Sequence, residues 1–449
     1  MKKQHLGKRK LSSFQLIILG FILVILIGSF LLMLPFSTKS GRATPFLEAL
    51  FTSTSATCVT GLVVHDTATY WSDFGQAVIL LLIQIGGMGV VTIAVALAVI
   101  SGRKIGLMQR STMQEAIAAP SVGGIVRLTS FILKATFLIE LVGAILMLPV
   151  FGGEFGLLKG IWYSVFHSIS AFCNAGFDLM GVREHYSSLT AFAANGLLNL
   201  VVMVLIIIGG IGFLTWEDIK QNRFHFKRYR LQSKIILITT VILILLPFLF
   251  YFFYEFGRPE WNLPLGERVL SALFQAVTPR TAGFNTVDLS KFTDAGKAIM
   301  IILMLTGGSP GSTAGGMKTT TVAVFLLTMF AVFRRKKDTE CLGRRVEEGT
   351  IRYAMAILMM YLTLFLAGGI VISCVEKIPM MECLFETASA IGTVGLTLGV
   401  TPGLGNLSRI ILILLMFFGR VGGLTIIFAA YSDKEQVLSK LPEEKITVG

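Results

Sequence analysis

Four stretches of the sequence set a phenylalanine and a glycine at nearly constant spacing. They are FLEALFTSTSATCVTGL (residues 46–62), YSVFHSISAFCNAGF (163–177), LSALFQAVTPRTAGF (270–284) and MECLFETASAIGTVGL (381–396). Phe51, Phe166, Phe274 and Phe385 precede Gly61, Gly176, Gly283 and Gly395 by ten residues in three copies and nine in the third. Leu or Phe follows each glycine. Each stretch opens with about eight apolar or small residues, too few to span a bilayer. It can instead form a short helix that enters the membrane and returns as extended chain. Non-helical backbone at membrane depth survives only when buried in protein or lining a wet cavity. Four such returns about one axis would aim backbone carbonyls inward, where they can replace a cation's water shell. Glycine permits the close approach and positive φ this needs. The C-terminal ends of the short helices would add negative dipole ends, which favour a cation.

The fourth copy reads Gly392-Thr393-Val394-Gly395-Leu396, similar to the TVGYG filter of potassium channels. The others are Thr57-Cys58-Val59-Thr60-Gly61, Cys173-Asn174-Ala175-Gly176 and Arg280-Thr281-Ala282-Gly283. They keep little beyond the glycine, so the chemistry they share must be backbone chemistry. Arg280 in such a path would repel its own substrate. It is expected to point away and brace the loop, with Glu48, Glu382 and Glu386 as candidate partners. Those carboxylates could equally concentrate cations at the mouth. Glycines that merely ease packing in extracellular hairpins would not explain a fourfold register. Repeats decide architecture.

The elements between these stretches are apolar. Of 449 residues, 54% are hydrophobic and 14% charged, where a soluble domain is nearer a quarter charged. Eight runs are long enough to cross a membrane: 14–36, 74–100, 128–151, 194–216, 235–256, 298–333, 353–375 and 407–431. The first follows Lys2, Lys3, Lys8, Arg9 and Lys10. It is too long for a signal-peptide core and lacks a small-residue cleavage site, so it reads as a retained helix. With the N-terminus inside, the inner segments 1–10, 101–127, 217–234, 334–352 and 432–449 hold 25 of the 39 Lys and Arg residues. This matches the positive-inside rule. The net charge of +13 therefore reflects topology and not nucleic-acid binding. Five cysteines without regular spacing argue against disulfides or zinc.

The second helix of each pair carries glycines: Gly86-Gly87-Met88-Gly89, Gly209-Gly210-Ile211-Gly212 and Gly419-Arg420-Val421-Gly422-Gly423. The third pair has Gly307, Gly308, Ser309, Pro310, Gly311, Ser312, Thr313, Ala314, Gly315 and Gly316, closed by Lys318. Glycine costs about 1 kcal/mol and proline about 3 kcal/mol in a helix interior, so the sixth helix is predicted to break into two pieces joined by an obstructing loop. Arg420, a costly charge inside the eighth run, is expected to donate to carbonyls of that loop. Lys318 could as easily snorkel to the inner surface. Glu140 is a candidate partner for an intramembrane cation such as Lys134.

The expected architecture is an all-α integral membrane protein. Four M1–P–M2 (helix–pore loop–helix) repeats surround a central pore, with eight transmembrane helices and four re-entrant pore helices. The units are 11–100, 127–217, 231–333 and 350–431, between a cytoplasmic N-terminus (1–10) and a cytoplasmic tail (432–449). On these residues, roughly 11–431, the sequence resembles the Trk/Ktr/HKT superfamily of potassium transporters, most of all the membrane subunit of a bacterial Ktr system. The four filter glycines match residue by residue, and residues 307–316 match the family's intramembrane gating loop. The resemblance implies channel-like potassium uptake across a bacterial plasma membrane, with both termini cytoplasmic. It also implies a homodimer and a cytoplasmic RCK-type nucleotide-binding ring, octameric in the family, that controls the gate. Any nucleotide would then sit on that partner, since the inner segments are too short for such a domain. No covalently bound cofactor is implied; K+ is the transported ion. The single-glycine filters leave a sodium-coupled or weakly selective Na/K transporter as the alternative. Inverted repeats of a midplane secondary transporter fit four same-direction units poorly. No HExxH or GxSxG with a placed His supports an enzyme.

Overall fold

The computed structural model describes residues 12–100, 105–117, 123–223 and 225–431, with 442 and 444. The expected termini, 1–10 and nearly all of 432–449, lie outside the described residues. So do 101–104 and 118–122 of the first inner connector.

Helices dominate the described residues, with a single β-hairpin of two-residue strands beside them. Among the described residues, four helices are each long and apolar enough to cross a membrane: Ser13–Met33, Ile125–Phe155, Leu231–Glu255 and Glu348–Glu376. In chain order each is followed by a short helix: Phe46–Thr57, Leu157–Phe172, Leu265–Val277 and Met380–Gly392. After each short helix the chain runs extended through the glycine, then enters a further apolar helix that is interrupted.

These interruptions correct the reading of 74–100, 194–216 and 407–431 as continuous runs. Asp73–Met88 and Val90–Ala96 meet at 96°, and Gly196–Gly210 and Phe213–Asn222 at 95°. Asn406–Val421 and Gly423–Tyr431 are likewise separate helices. The breaks fall at Gly89 (φ +86°), Gly212 (φ +93°) and Gly422 (φ +87°), conformations that a side chain disfavours. The third counterpart is longer: Asp294–Leu305 and Thr319–Phe333 are joined by a loop.

Burial runs opposite to a soluble protein. Leu138, Leu141, Ile145, Val241, Leu246 and Ile370 on the long helices are exposed, as lipid-facing side chains are. Lipid tails are as apolar as leucine, so close packing of small residues selects the inside. Gly28 meets Ser53 and Leu82, Gly143 meets Ser168 and Leu205, and Gly368 meets Thr387 and Leu415. Each glycine thus lets a short helix approach a long one. Phe51, Phe166, Phe274 and Phe385 are all 0% exposed, and they anchor the short helices in the core.

Candidate functional site

The four extended returns share one backbone trace. Two residues before each glycine, Val59 (φ +51°), Asn174 (+58°), Thr281 (+68°) and Thr393 (+52°) are left-handed, and Gly61 (+94°), Gly176 (+67°), Gly283 (+82°) and Gly395 (+92°) are left-handed again. Left-handed backbone at a β-branched residue costs of order 1–3 kcal/mol and clusters at functional sites. The left-handed residue recurs at the same position in all four segments, and it is β-branched in three, Val59, Thr281 and Thr393.

The four segments close on one another. A Cβ added to Gly61 would strike the carbonyl oxygen of Ala175; one on Gly176, that of Ala282; on Gly283, that of Val394; on Gly395, that of Thr60. Each glycine therefore abuts the carbonyl that precedes the next glycine, in the cyclic order 61, 176, 283, 395 and back to 61. The four strands form a ring of backbone, and every member needs glycine because no β-carbon fits.

A hydroxyl four residues after each phenylalanine fastens the returns, a feature not singled out in the sequence reading although F-x-x-x-[S/T] is visible in all four copies. Ser55 Oγ accepts from Gly61 N at 3.1 Å and Ser389 Oγ accepts from Gly395 N at 3.0 Å. Ser170 Oγ donates to Phe177 O at 2.7 Å, and Thr278 Oγ1 donates to Phe284 O at 2.5 Å. Counting from the phenylalanine keeps the third copy in register, although its glycine comes one residue early. Between neighbours, Asn174 Nδ2 donates to Arg280 O and Thr281 Oγ1, both at 3.2 Å.

Arg280 is buried and donates to Thr240 Oγ1 at 3.2 Å, on the helix Leu231–Phe250. Of the carboxylates suggested for it, none pairs with it, and Glu48 and Glu386 are engaged elsewhere. Glu48 binds His65 at 2.7 Å and Arg409 at 3.3 Å. Glu386 accepts from Thr397 at 2.6 Å, from Leu398 N at 3.0 Å and from Thr401. Likewise Glu140 takes Gln84 and not Lys134, which lies exposed.

The loop 307–316 is wedged among the interrupted helices. Thr306 and Met317 pair in a parallel bridge at its base. Ser309 N donates to Gly210 O at 3.0 Å, Thr313 N to Gly209 O at 3.3 Å and Gly316 N to Gly419 O at 3.0 Å. Phe213 N returns a bond to Gly311 O at 2.7 Å. Thr313 Oγ1 reaches Phe172 O at 3.1 Å, and Gly315 packs on the Thr393 side chain, so the loop touches the second and fourth returns. Lys318 Nζ donates to Ala314 O at 2.8 Å and Gly315 O at 3.4 Å. Arg420 donates to Thr313 O and also to Gly86 O and, at 3.1 Å, Gly87 O. Such a density of helix breakers predicts a loosely bonded loop; the backbones beside it instead supply partners, because their own helices have broken and left carbonyls free. A cavity of about 270 Å³ borders the loop, lined in part by Pro310, Lys318, Arg420, Gly89 and Gly422.

A cyclic array of backbone carbonyls inside a shell of apolar helices has the chemistry to replace a cation's water shell. Residues 2–438 match the family model TrkH, "Cation transport protein", and the chain belongs to that family. It is a multi-pass membrane protein.

It is 40% identical to "Potassium/sodium uptake protein NtpJ" of Enterococcus hirae, covering 100% of this chain and 99% of that protein. It is 39% identical to "Ktr system potassium uptake protein B" of Bacillus subtilis, covering 97% and 96%. Among solved structures, the potassium transporter TrkH from Vibrio parahaemolyticus shares the fold, with a TM-score of 0.72 at 19% identity over 95% of this chain and 86% of that one.

Proposed function

We propose that this chain takes up potassium through the ring of four returns, in a channel-like manner. The observation that carries the reading is the cyclic contact of Gly61, Gly176, Gly283 and Gly395, each against the next strand's carbonyl. Carbonyls held in such a ring can replace water around a dehydrated monovalent cation. The surrounding scaffold is four M1–P–M2 units about the pore, with eight crossings and both termini in the cytoplasm. The filter comprises Thr57, Cys58, Val59, Thr60 and Gly61 in the first unit and Cys173, Asn174, Ala175 and Gly176 in the second. The third and fourth units supply Thr281, Ala282 and Gly283, and Thr393, Val394 and Gly395. The loop 307–316, with Lys318 and Arg420, is the gate beneath it.

Relatives named as parts of a Ktr system support a cytoplasmic regulatory partner of the nucleotide-binding RCK type. A homodimer is part of the same reading. A second reading, a weakly selective or sodium-coupled Na/K transporter, is favoured by one relative's name, potassium/sodium uptake protein, and by the unlike side chains of the four returns. Rubidium uptake into vesicles holding the purified protein tests both. Uptake blocked by K+ and indifferent to an imposed Na+ gradient supports the first reading. Uptake that follows the Na+ gradient supports the second, and no uptake with or without the partner defeats both.

A further inference from the structure

A buried carboxylate lies behind the second return. Glu140, in the middle of helix Ile125–Phe155, is 5% exposed. Gln84 Nε2 donates to both of its oxygens, at 3.0 and 3.3 Å. Cys173 Sγ lies 3.8 Å from Oε1 as a third donor. Cys173 caps the short helix Leu157–Phe172 and opens the second return. The Glu140 backbone carbonyl accepts from Ser168 Oγ at 2.6 Å, so a single residue grips the short helix at two points.

The other copies show that packing alone does not need a carboxylate there. Glu140 stands three residues before Gly143, as Ile25 stands before Gly28 and Phe365 before Gly368, and both are buried. In the first copy Ser53 Oγ bonds the carbonyl of Ile25 at 2.7 Å, just as Ser168 bonds that of Glu140. Gln84 stands five residues before Gly89, where the second and fourth copies place Ile207 and Phe417 before Gly212 and Gly422. Two positions that are apolar in the copies compared are therefore both polar here, on one seam, behind one return. An ionisable residue at membrane depth is expensive and functional by default. This one has its donors arranged on the filter side.

We propose that Glu140 is the positioning residue of the second return. Held by Gln84, its carboxylate fixes Cys173 and so sets where Asn174, Ala175 and Gly176 stand against the first and third returns. Through that placement it tunes which cation the ring fits. This inference rests on the ring being the filter. The same seam carries Gly86 and Gly87, whose carbonyls receive Arg420, so the gate's latch and the filter's brace share one wall.

The test is rubidium uptake by purified protein in vesicles, competed by K+ and by Na+. Four forms are compared with wild type: Glu140→Ile, Glu140→Gln, Gln84→Ile and Gly176→Ser. Glu140→Ile and Gln84→Ile are expected to lower the K+/Na+ preference roughly tenfold, the scale of one lost buried hydrogen bond. Glu140→Gln, which keeps an acceptor for Gln84, should fall between. A purely structural role would lower the melting temperature and total uptake but leave the ratio alone. If Gly176→Ser shifts the ratio while both isoleucine variants keep the wild-type value, the role assigned to Glu140 is wrong. If Gly176→Ser also leaves the ratio unchanged, the filter reading falls and this inference with it.

Discussion

Arg420 donates to the carbonyl of Thr313, and the same guanidinium donates to the carbonyls of Gly86 and Gly87. One side chain thus ties the loop of the third unit to the broken helix of the first. In Asn406–Val421 it occupies the place that Gly87 and Gly210 hold in their helices, each two residues before the break glycine. Hydrogen bonds from a charged donor contribute about 1.5–3 kcal/mol each. Arg420→Ala should therefore favour the open loop and raise rubidium flux about tenfold or more. Deleting residues 309–313 should act the same way and lessen any dependence of flux on an added RCK-type ring. The two changes should be less than additive, since they act on one element. Flux into vesicles from each single and double variant is the measurement. A correctly inserted deletion variant that conducts no better than wild type would make the loop a structural kink.

The hydroxyls that fasten the returns give a second prediction. Ser389→Ala removes the acceptor of Gly395 N, and Ser55→Ala removes that of Gly61 N. An unsatisfied buried N–H costs about 1–3 kcal/mol, felt directly by the ring. The K+ concentration for half-maximal uptake should rise severalfold. Ser389→Thr, which keeps the oxygen, should retain more affinity than Ser389→Ala. Equal affinities for the two variants would show that these hydroxyls do not hold the filter.

The basic connector 334–352 gives a third. Glu340–Cys341 pairs with Arg344–Arg345 as a small antiparallel hairpin, beside Arg334, Arg335, Lys336 and Lys337. Lys336 bonds Glu340 at 2.8 Å and Arg345 lies 3.4 Å from Asp338. Exposed pairs of this kind contribute at most about 1 kcal/mol, so the hairpin tolerates their loss. Neutralising residues 334–337 with Arg344 and Arg345 should weaken co-purification of an RCK-type ring while insertion continues. A ring retained at wild-type affinity would place its dock elsewhere.

Much of this was legible in the sequence, because repetition and helix breakers are local signals. The Phe–Gly register located all four short helices, and the run of Gly, Ser and Pro after Thr306 located the third interruption. The other breaks were less legible. One glycine turns a helix when its neighbours supply new partners, and Gly89, Gly212 and Gly422 look like any packing glycine until those partners are known. The cyclic order of the ring is a tertiary fact with no trace in spacing. The partners of long side chains were also hidden: Glu140 lies six residues from Lys134 yet bonds Gln84, 56 positions away.

If the four glycines close a cation-selective ring, Gly61→Ser, Gly176→Ser, Gly283→Ser and Gly395→Ser should each alter how K+ and Na+ compete with rubidium uptake. At every position the added β-carbon meets a neighbouring strand's carbonyl oxygen, and three of those strands belong to returns that otherwise share little sequence. Each variant, inserted at wild-type level, should lose K+/Na+ preference by roughly tenfold or more, the effect of displacing one carbonyl set from the ion. Four inserted variants that keep the wild-type K+ affinity and K+/Na+ ratio would contradict it.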